Sequence, residues 1–154
     1  GKIFYSQFRI GKNKKKFRLL KFATMLEKST SMKNGTLTVK DDSRILPVGK
    51  ILRKTKINEL PQLINVLKGE MSIVGPRPAL HTQVDLIAAR RAVGIDRLLP
   101  GITGWAQING RDEIELSEKL ELDYEYFQRN NIWLDIRILY HTVLAVLCSN
   151  GVRH

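Results

Sequence analysis

Cysteine is almost missing from this sequence: Cys148 stands alone among 154 residues. No internal disulfide can form, so a reducing compartment is the expected setting. Histidine is nearly as scarce. His81, His141 and His154 lie far apart, and with one cysteine they offer no zinc-ligand spacing. No apolar run reaches the roughly 18 residues a spanning helix needs. The first residues read as a strand rather than a signal peptide. Internal repeats and low-complexity tracts are missing too, which argues against a repeat architecture. Acids are outnumbered, 15 Asp and Glu against 26 Lys and Arg, and positions 1–26 hold eight Lys/Arg and no acid.

What is present suits one packed domain. The length is ordinary for a single domain, and 43% hydrophobic residues suffice for a core. A formal charge of +11 implies an anionic partner, whether nucleic acid, an acidic membrane surface or a phosphorylated substrate, unless it is only a solvated basic face. Seven acids between 112 and 125 are expected to face water.

Residues 3–9 and 17–24 are apolar and aromatic around the polar loop GKNKKK, which predicts a β-hairpin. Residues 29–44, with an Asn34-Gly35 turn signal, read as a loop. Residues 58–68 predict a helix whose core face is Leu60, Leu63, Ile64 and Leu67, with Asn58 as N-cap and Gly69 as stop. A second helix is expected over 80–93, with Leu80, Val84, Ile87 and Ala88 on one face. Residues 98–111, rich in glycine, read mostly as loop. A third helix over 116–127 would turn Leu116, Leu120 and Phe127 inward and its acids outward. A fourth, over 133–147, reads as a buried core helix, with a helix lying on a membrane surface as the alternative. The fold class is α/β (helix-rich α+β): a short N-terminal β-hairpin, then several amphipathic helices and Gly/Pro-rich loops.

The segments KIFYSQFRIGKNKKKF, KFATM, LRKTKINELPQLINVLKGEMSIVGPRPAL, PGITGWAQINGR and LELDYEYF occur in that order. Together they resemble the bacterial sugar transferases, the monotopic polyprenyl-phosphate phosphoglycosyl transferases, nearly end to end. The ending SNGVRH is similar to capsule-type members. The resemblance implies a single catalytic domain over 1–154. It implies transfer of a sugar-1-phosphate from a UDP-sugar to polyprenyl (undecaprenyl) phosphate, with release of UMP. That would be the first membrane step of capsule, exopolysaccharide or O-antigen assembly. It further implies Mg²⁺, an Asp-Glu pair whose Asp attacks the β-phosphate, and the cytoplasmic face of the bacterial inner membrane. An N-terminal re-entrant membrane helix belongs to the same pattern and is not in this sequence. An anionic membrane surface and a homodimer are the remaining partners to consider.

Phosphoryl transfer needs charge neutralisation, a placed nucleophile and usually Mg²⁺. Arg77, held between two prolines, suits phosphate binding; Arg53, Arg111 and Lys21 are further candidates. Each also reads as an ordinary surface cation. Glu59, in the first turn of the predicted helix, is the candidate Mg²⁺ ligand and acid/base, or else a helix-dipole acid. Gly101, Gly104 and Trp105 form a loop that could approach the substrate or the membrane; Trp105 reads equally as a core residue. Asp123 and Asp135 match acidic positions of the family, with salt-bridge or helix-face roles the simpler account.

Asn58 departs from the family pattern, which has Asp there. An amide has no anionic oxygen with which to attack phosphorus. Three readings stay open: a natural subgroup in which Glu59 takes over, a substitution made to trap substrate, or a non-catalytic relative. The intact surroundings favour the first. Two functions of other classes compete with the enzyme. One is an inactive scaffold that binds substrate without turnover. The other is a basic nucleic-acid-binding module, which explains the charge but not GPRP or PGITGWAQ; no nucleic-acid partner is expected.

Overall fold

A computed structural model of the chain describes residues 3–25, 44–110 and 115–148. The expected loop 29–44 lies outside these residues apart from Arg44, and Arg111 lies outside them as well.

The predicted hairpin forms. Strands β1 (Phe4–Ile10) and β2 (Lys16–Phe22) pair antiparallel, from Phe4↔Phe22 to Ile10↔Lys16. Strand alternation separates two faces. Phe17 and Leu19 point into the core. On the other face Phe4 stacks on Phe22, with centroids 5.6 Å apart, and Arg18 lies over Phe8.

The predicted helix 58–68 is broken, and a helix precedes it that the periodicity missed. Helix α1 (Pro47–Lys54) begins on a proline at its first turn, a position needing no N–H. Lys56 then adopts a left-handed conformation, φ 60°. A single 3₁₀ turn, Ile57–Glu59, and Pro61 lead into α2 (Gln62–Leu67). Asn58 is therefore not the N-cap of a long helix: it lies inside the 3₁₀ turn, and Pro61 occupies the cap of α2. The stop is as expected, since Gly69 takes φ 72°, a left-handed conformation easiest for glycine.

The face of α2 is inverted relative to the apolar pattern. Gln62 and Asn65 are buried, whereas Leu60, Leu63, Ile64 and Leu67 are exposed, Leu67 by 88%. The cause is a set of hydrogen bonds. Asn65 Oδ1 accepts from Leu20 N–H (3.1 Å), and Asn65 Nδ2 donates to the carbonyl of Arg18 (2.8 Å) and to Glu70 Oε2 (2.6 Å). A buried amide satisfied on both ends fixes which side of the helix meets the strand.

Strand β3 (Ser72–Val74) pairs in parallel with β5 (Gly101–Thr103). Between them β4 (Ala79–Leu80) joins the hairpin, giving the order β2-β1-β4. Helix α3 (Val84–Ala92) is shorter than predicted. It buries Leu86 and Arg90 while Val84 and Ala88 are exposed, and Leu80 is buried in β4 instead. The stretch read as loop contains β5 and α4 (Trp105–Asn109). Helix α5 (Leu116–Arg129) turns Asp123 and Tyr126 inward and leaves Leu116 exposed, so its acids do not all face water.

Helix α6 (Ile132–Leu147) is capped by Asn131 Oδ1, which accepts from Leu134 N–H at 2.9 Å. It is not a buried core helix. Ile138 is its one fully buried residue, while Trp133, Tyr140 and Leu147 are 76%, 61% and 73% exposed. On one side of α6, Ile138 packs with Val74 and Tyr126, flanked by Leu98, Trp105, Ile108 and Leu134. A second cluster joins Phe17, Leu19 and Met71. Among the described residues no helix is long and apolar enough to cross a membrane. The architecture is a mixed, helix-rich α/β fold, as expected.

Candidate active site

The break around Lys56 brings Glu59 to β2. Lys21 Nζ donates to Glu59 Oε1 at 2.7 Å, and Arg77 Nη2 stands 3.8 Å from the same oxygen. Three predicted residues, from a strand, a 3₁₀ turn and a proline turn, thus meet at one point. All three side chains are largely shielded: 19% exposed for Lys21, 12% for Glu59 and 27% for Arg77. Asn65 sits behind this meeting, because the strand segment it clamps, Arg18 to Leu20, leads directly into Lys21.

The site carries more positive than negative charge. Burial alone would raise the Glu59 carboxyl, but Lys21, Arg77 and Lys56 together hold it down, at about 2. The Lys21 pKa is lowered as well: burial is the main cause, and the nearby Arg77 and Arg9 add to it against the attraction of Glu59. The Glu59 shift reflects a single carboxylate among several cations. Such a cluster has room, electrostatically, for a further anion.

Asn58 Oδ1 is buried and has no hydrogen-bond partner among the described residues, an uncommon state for a native amide oxygen. Among the described residues no three of His, Cys, Asp and Glu gather as a metal cage. Mg²⁺, however, is commonly held by one or two protein oxygens plus phosphates and water. The Asn58 amide oxygen and the Glu59 carboxylate, adjacent in sequence, suit that manner of binding.

Arg77 is supplied by a strongly braced turn. Gly75 N–H donates to Thr103 O (2.9 Å), Gly101 N–H to Pro76 O (3.0 Å), Arg9 Nη1 to Pro78 O (3.1 Å) and Arg90 Nη1 to Arg77 O (2.8 Å). Gly101 and Gly104 lie beneath it: a Cβ on either would strike the Gly75 backbone. These two glycines therefore permit the close approach that supports the turn. Trp105 packs with Val74, Tyr126 and Ile138, and its indole N–H donates to Glu125 Oε2 at 2.8 Å. Arg53 closes α1 and donates through Nε to Thr24 Oγ1 at 2.9 Å. Asp135 accepts from Tyr126 OH at 2.8 Å. The sequence reading passed over Lys56, Asn65 and Arg90. A polar pair at i, i+3 inside an apolar helix, Gln62 and Asn65, was the available signal for a buried polar face.

A sequence model of the family described as bacterial sugar transferase matches residues 1–149. The chain is 44% identical to the uncharacterized sugar transferase EpsL of Bacillus subtilis, over 98% of this chain and 73% of that protein. It is 36% identical to the exopolysaccharide production protein ExoY of Rhizobium meliloti, with the same coverage. It is 38% identical to the UDP-N-acetylgalactosamine-undecaprenyl-phosphate N-acetylgalactosaminephosphotransferase of Aeromonas hydrophila, over 99% of this chain and 37% of that protein.

Proposed function

The chain belongs to the bacterial sugar transferase family, and from that premise we propose that it moves a sugar-1-phosphate from a UDP-sugar to polyprenyl phosphate and releases UMP. The observation that carries this is the meeting of Lys21, Glu59 and Arg77: one carboxylate in an excess of positive charge. The relative from Aeromonas hydrophila is named for transfer to undecaprenyl phosphate from a UDP-sugar, which supports both substrates.

A carboxyl held at about 2 is ionised at neutral pH and too weak a base to take protons there. With Asn58 lacking an anionic oxygen, the ionised Glu59 carboxylate is assigned the nucleophile's part. Its carboxylate oxygen bonds to the β-phosphorus as the bond to the UMP oxygen breaks, and UMP leaves with that electron pair. An oxygen of polyprenyl phosphate then displaces the carboxylate and takes the sugar-phosphate. Arg77 and Lys21 bind the diphosphate and offset its charge. Asn58 Oδ1 and the Glu59 carboxylate would hold Mg²⁺. Bound there, it would supply further neutralisation of the transferred phosphate.

Exposed apolar side chains on α1 and α2, among them Val48, Ile51, Leu63 and Leu67, alternate with Lys50, Lys54 and Lys68. That composition suits an anionic membrane surface, where a polyprenyl substrate would be met.

Intact-protein mass after incubation with UDP-sugar and Mg²⁺ tests the covalent route. A phosphosugar adduct mapping to Glu59 is expected. Glu59→Gln should abolish UMP release by a full-length protein; an unchanged rate removes Glu59 from the chemistry. Binding of UDP-sugar without UMP release would instead favour the scaffold reading, which the amide at Asn58 motivates.

A further inference from the structure

We propose that Arg90 and Asp123 form a positioning unit for Arg77, fixing from behind the direction in which its guanidinium meets a phosphate. This rests on the proposed role of Arg77 above. The pair joins α3 to α5: Arg90 Nε and Nη2 both donate to Asp123 Oδ2, at 3.0 and 2.6 Å. Those two bonds orient the planar guanidinium and leave Nη1 on its other edge. Nη1 donates to the backbone carbonyl of Arg77 at 2.8 Å.

The backbone at that point has little other freedom. Pro76 and Pro78 fix their own φ, and a residue preceding proline is confined to extended conformations. What freedom is left is ψ of Arg77 within its extended well, and the carbonyl oxygen whose direction ψ sets is where Arg90 donates. Both partners are shielded, with 9% of the Arg90 side chain and 2% of the Asp123 side chain exposed. Burial raises the Asp123 carboxyl even beside Arg90, so the pair sits where charge is expensive. Buried ion pairs are often no better for stability than apolar residues of similar volume. A purely stabilising ion pair does not account for the third bond, from Nη1 to the Arg77 carbonyl.

The test is a double-mutant cycle in the full-length protein, read as affinity for inorganic pyrophosphate. Arg90→Lys keeps the charge against Asp123 but loses the fork that reaches Arg77. It and Arg77→Ala should each weaken pyrophosphate about 10-fold, and the double variant should be no weaker than Arg77→Ala alone. A general structural defect would not depend on Arg77 and would add to it. If Arg90→Lys does not fold, Asp123→Asn takes its place, with the same non-additivity required. Additive losses, unchanged affinity in Arg90→Lys, or no effect of Arg77→Ala would each overturn the proposal. Pyrophosphate binding with this coupling but no UMP release would sink the transferase reading and leave the positioning unit standing.

Discussion

At the scale of single residues, the proposed chemistry turns on one carboxylate. Glu59 faces Lys21, Arg77 and Lys56, and next to it Asn58 offers a neutral oxygen that no described residue satisfies. Restoring an acid there adds a charge that the surrounding cations can balance. Asn58→Asp is therefore expected to retain or raise the rate of UMP release. A loss of rate would show that the amide itself is required. The depressed Glu59 pKa also has a signed consequence for stability. Its folded value, about 2, lies below an ordinary 4.5, so the contribution is complete above pH 4.5 and lost as pH falls toward 2. In metal-free buffer, wild type should exceed Glu59→Gln by at most about 3 kcal/mol near neutrality. That margin should close between those two pH values, as read by urea unfolding. A margin that does not change with pH would mean the carboxylate gains nothing from its neighbours.

At the scale of elements, the hairpin was legible because strand alternation and a polar, lysine-rich turn are local signals. Helix α2 was legible as a helix but not in its facing. The leucine stripe dominates the pattern, yet Asn65 bonds to the Arg18–Leu20 backbone and turns that stripe outward. Asn65→Leu should therefore cost about 2–4 kcal/mol, because it strands a buried N–H and carbonyl. Leu67→Ala, on the exposed side, should stay within about 0.5 kcal/mol. Chemical denaturation of the two variants decides between the inward-facing leucines of the periodicity and the inward-facing amide. The left-handed Lys56 was not foreseeable: nothing in KTKINEL marks a non-glycine residue at positive φ, and that residue separates the unexpected α1 from the 3₁₀ turn that stands at the start of the expected helix.

At the scale of the whole molecule, the structure leaves much apolar surface uncovered. Leu67, Trp133 and Leu147 are each at least 73% exposed, on α2 and α6. The basic hairpin turn lies at the end of β1, with Lys12, Lys14, Lys15 and Lys16 exposed. Vesicles containing anionic lipid should bind the protein more tightly than neutral ones at low salt. Neutralising those four lysines should weaken binding by up to about 1 kcal/mol per residue. Equal co-sedimentation with both kinds of vesicle would set aside an electrostatic role for the hairpin.

The sequence by itself determined the family, the fold class, the hairpin and the identities of Lys21, Glu59 and Arg77, because each is carried by residue type and local order. That Lys21 and Arg77 converge on one Glu59 oxygen only the tertiary structure decided. So too did the outward leucines of α2, the uncovered face of α6 and the buried Arg90–Asp123 pair. The reason is physical: helix facing and side-chain convergence follow from long-range hydrogen bonds and backbone turns such as those of Asn65, Arg90 and Lys56, which leave no periodic trace in the chain.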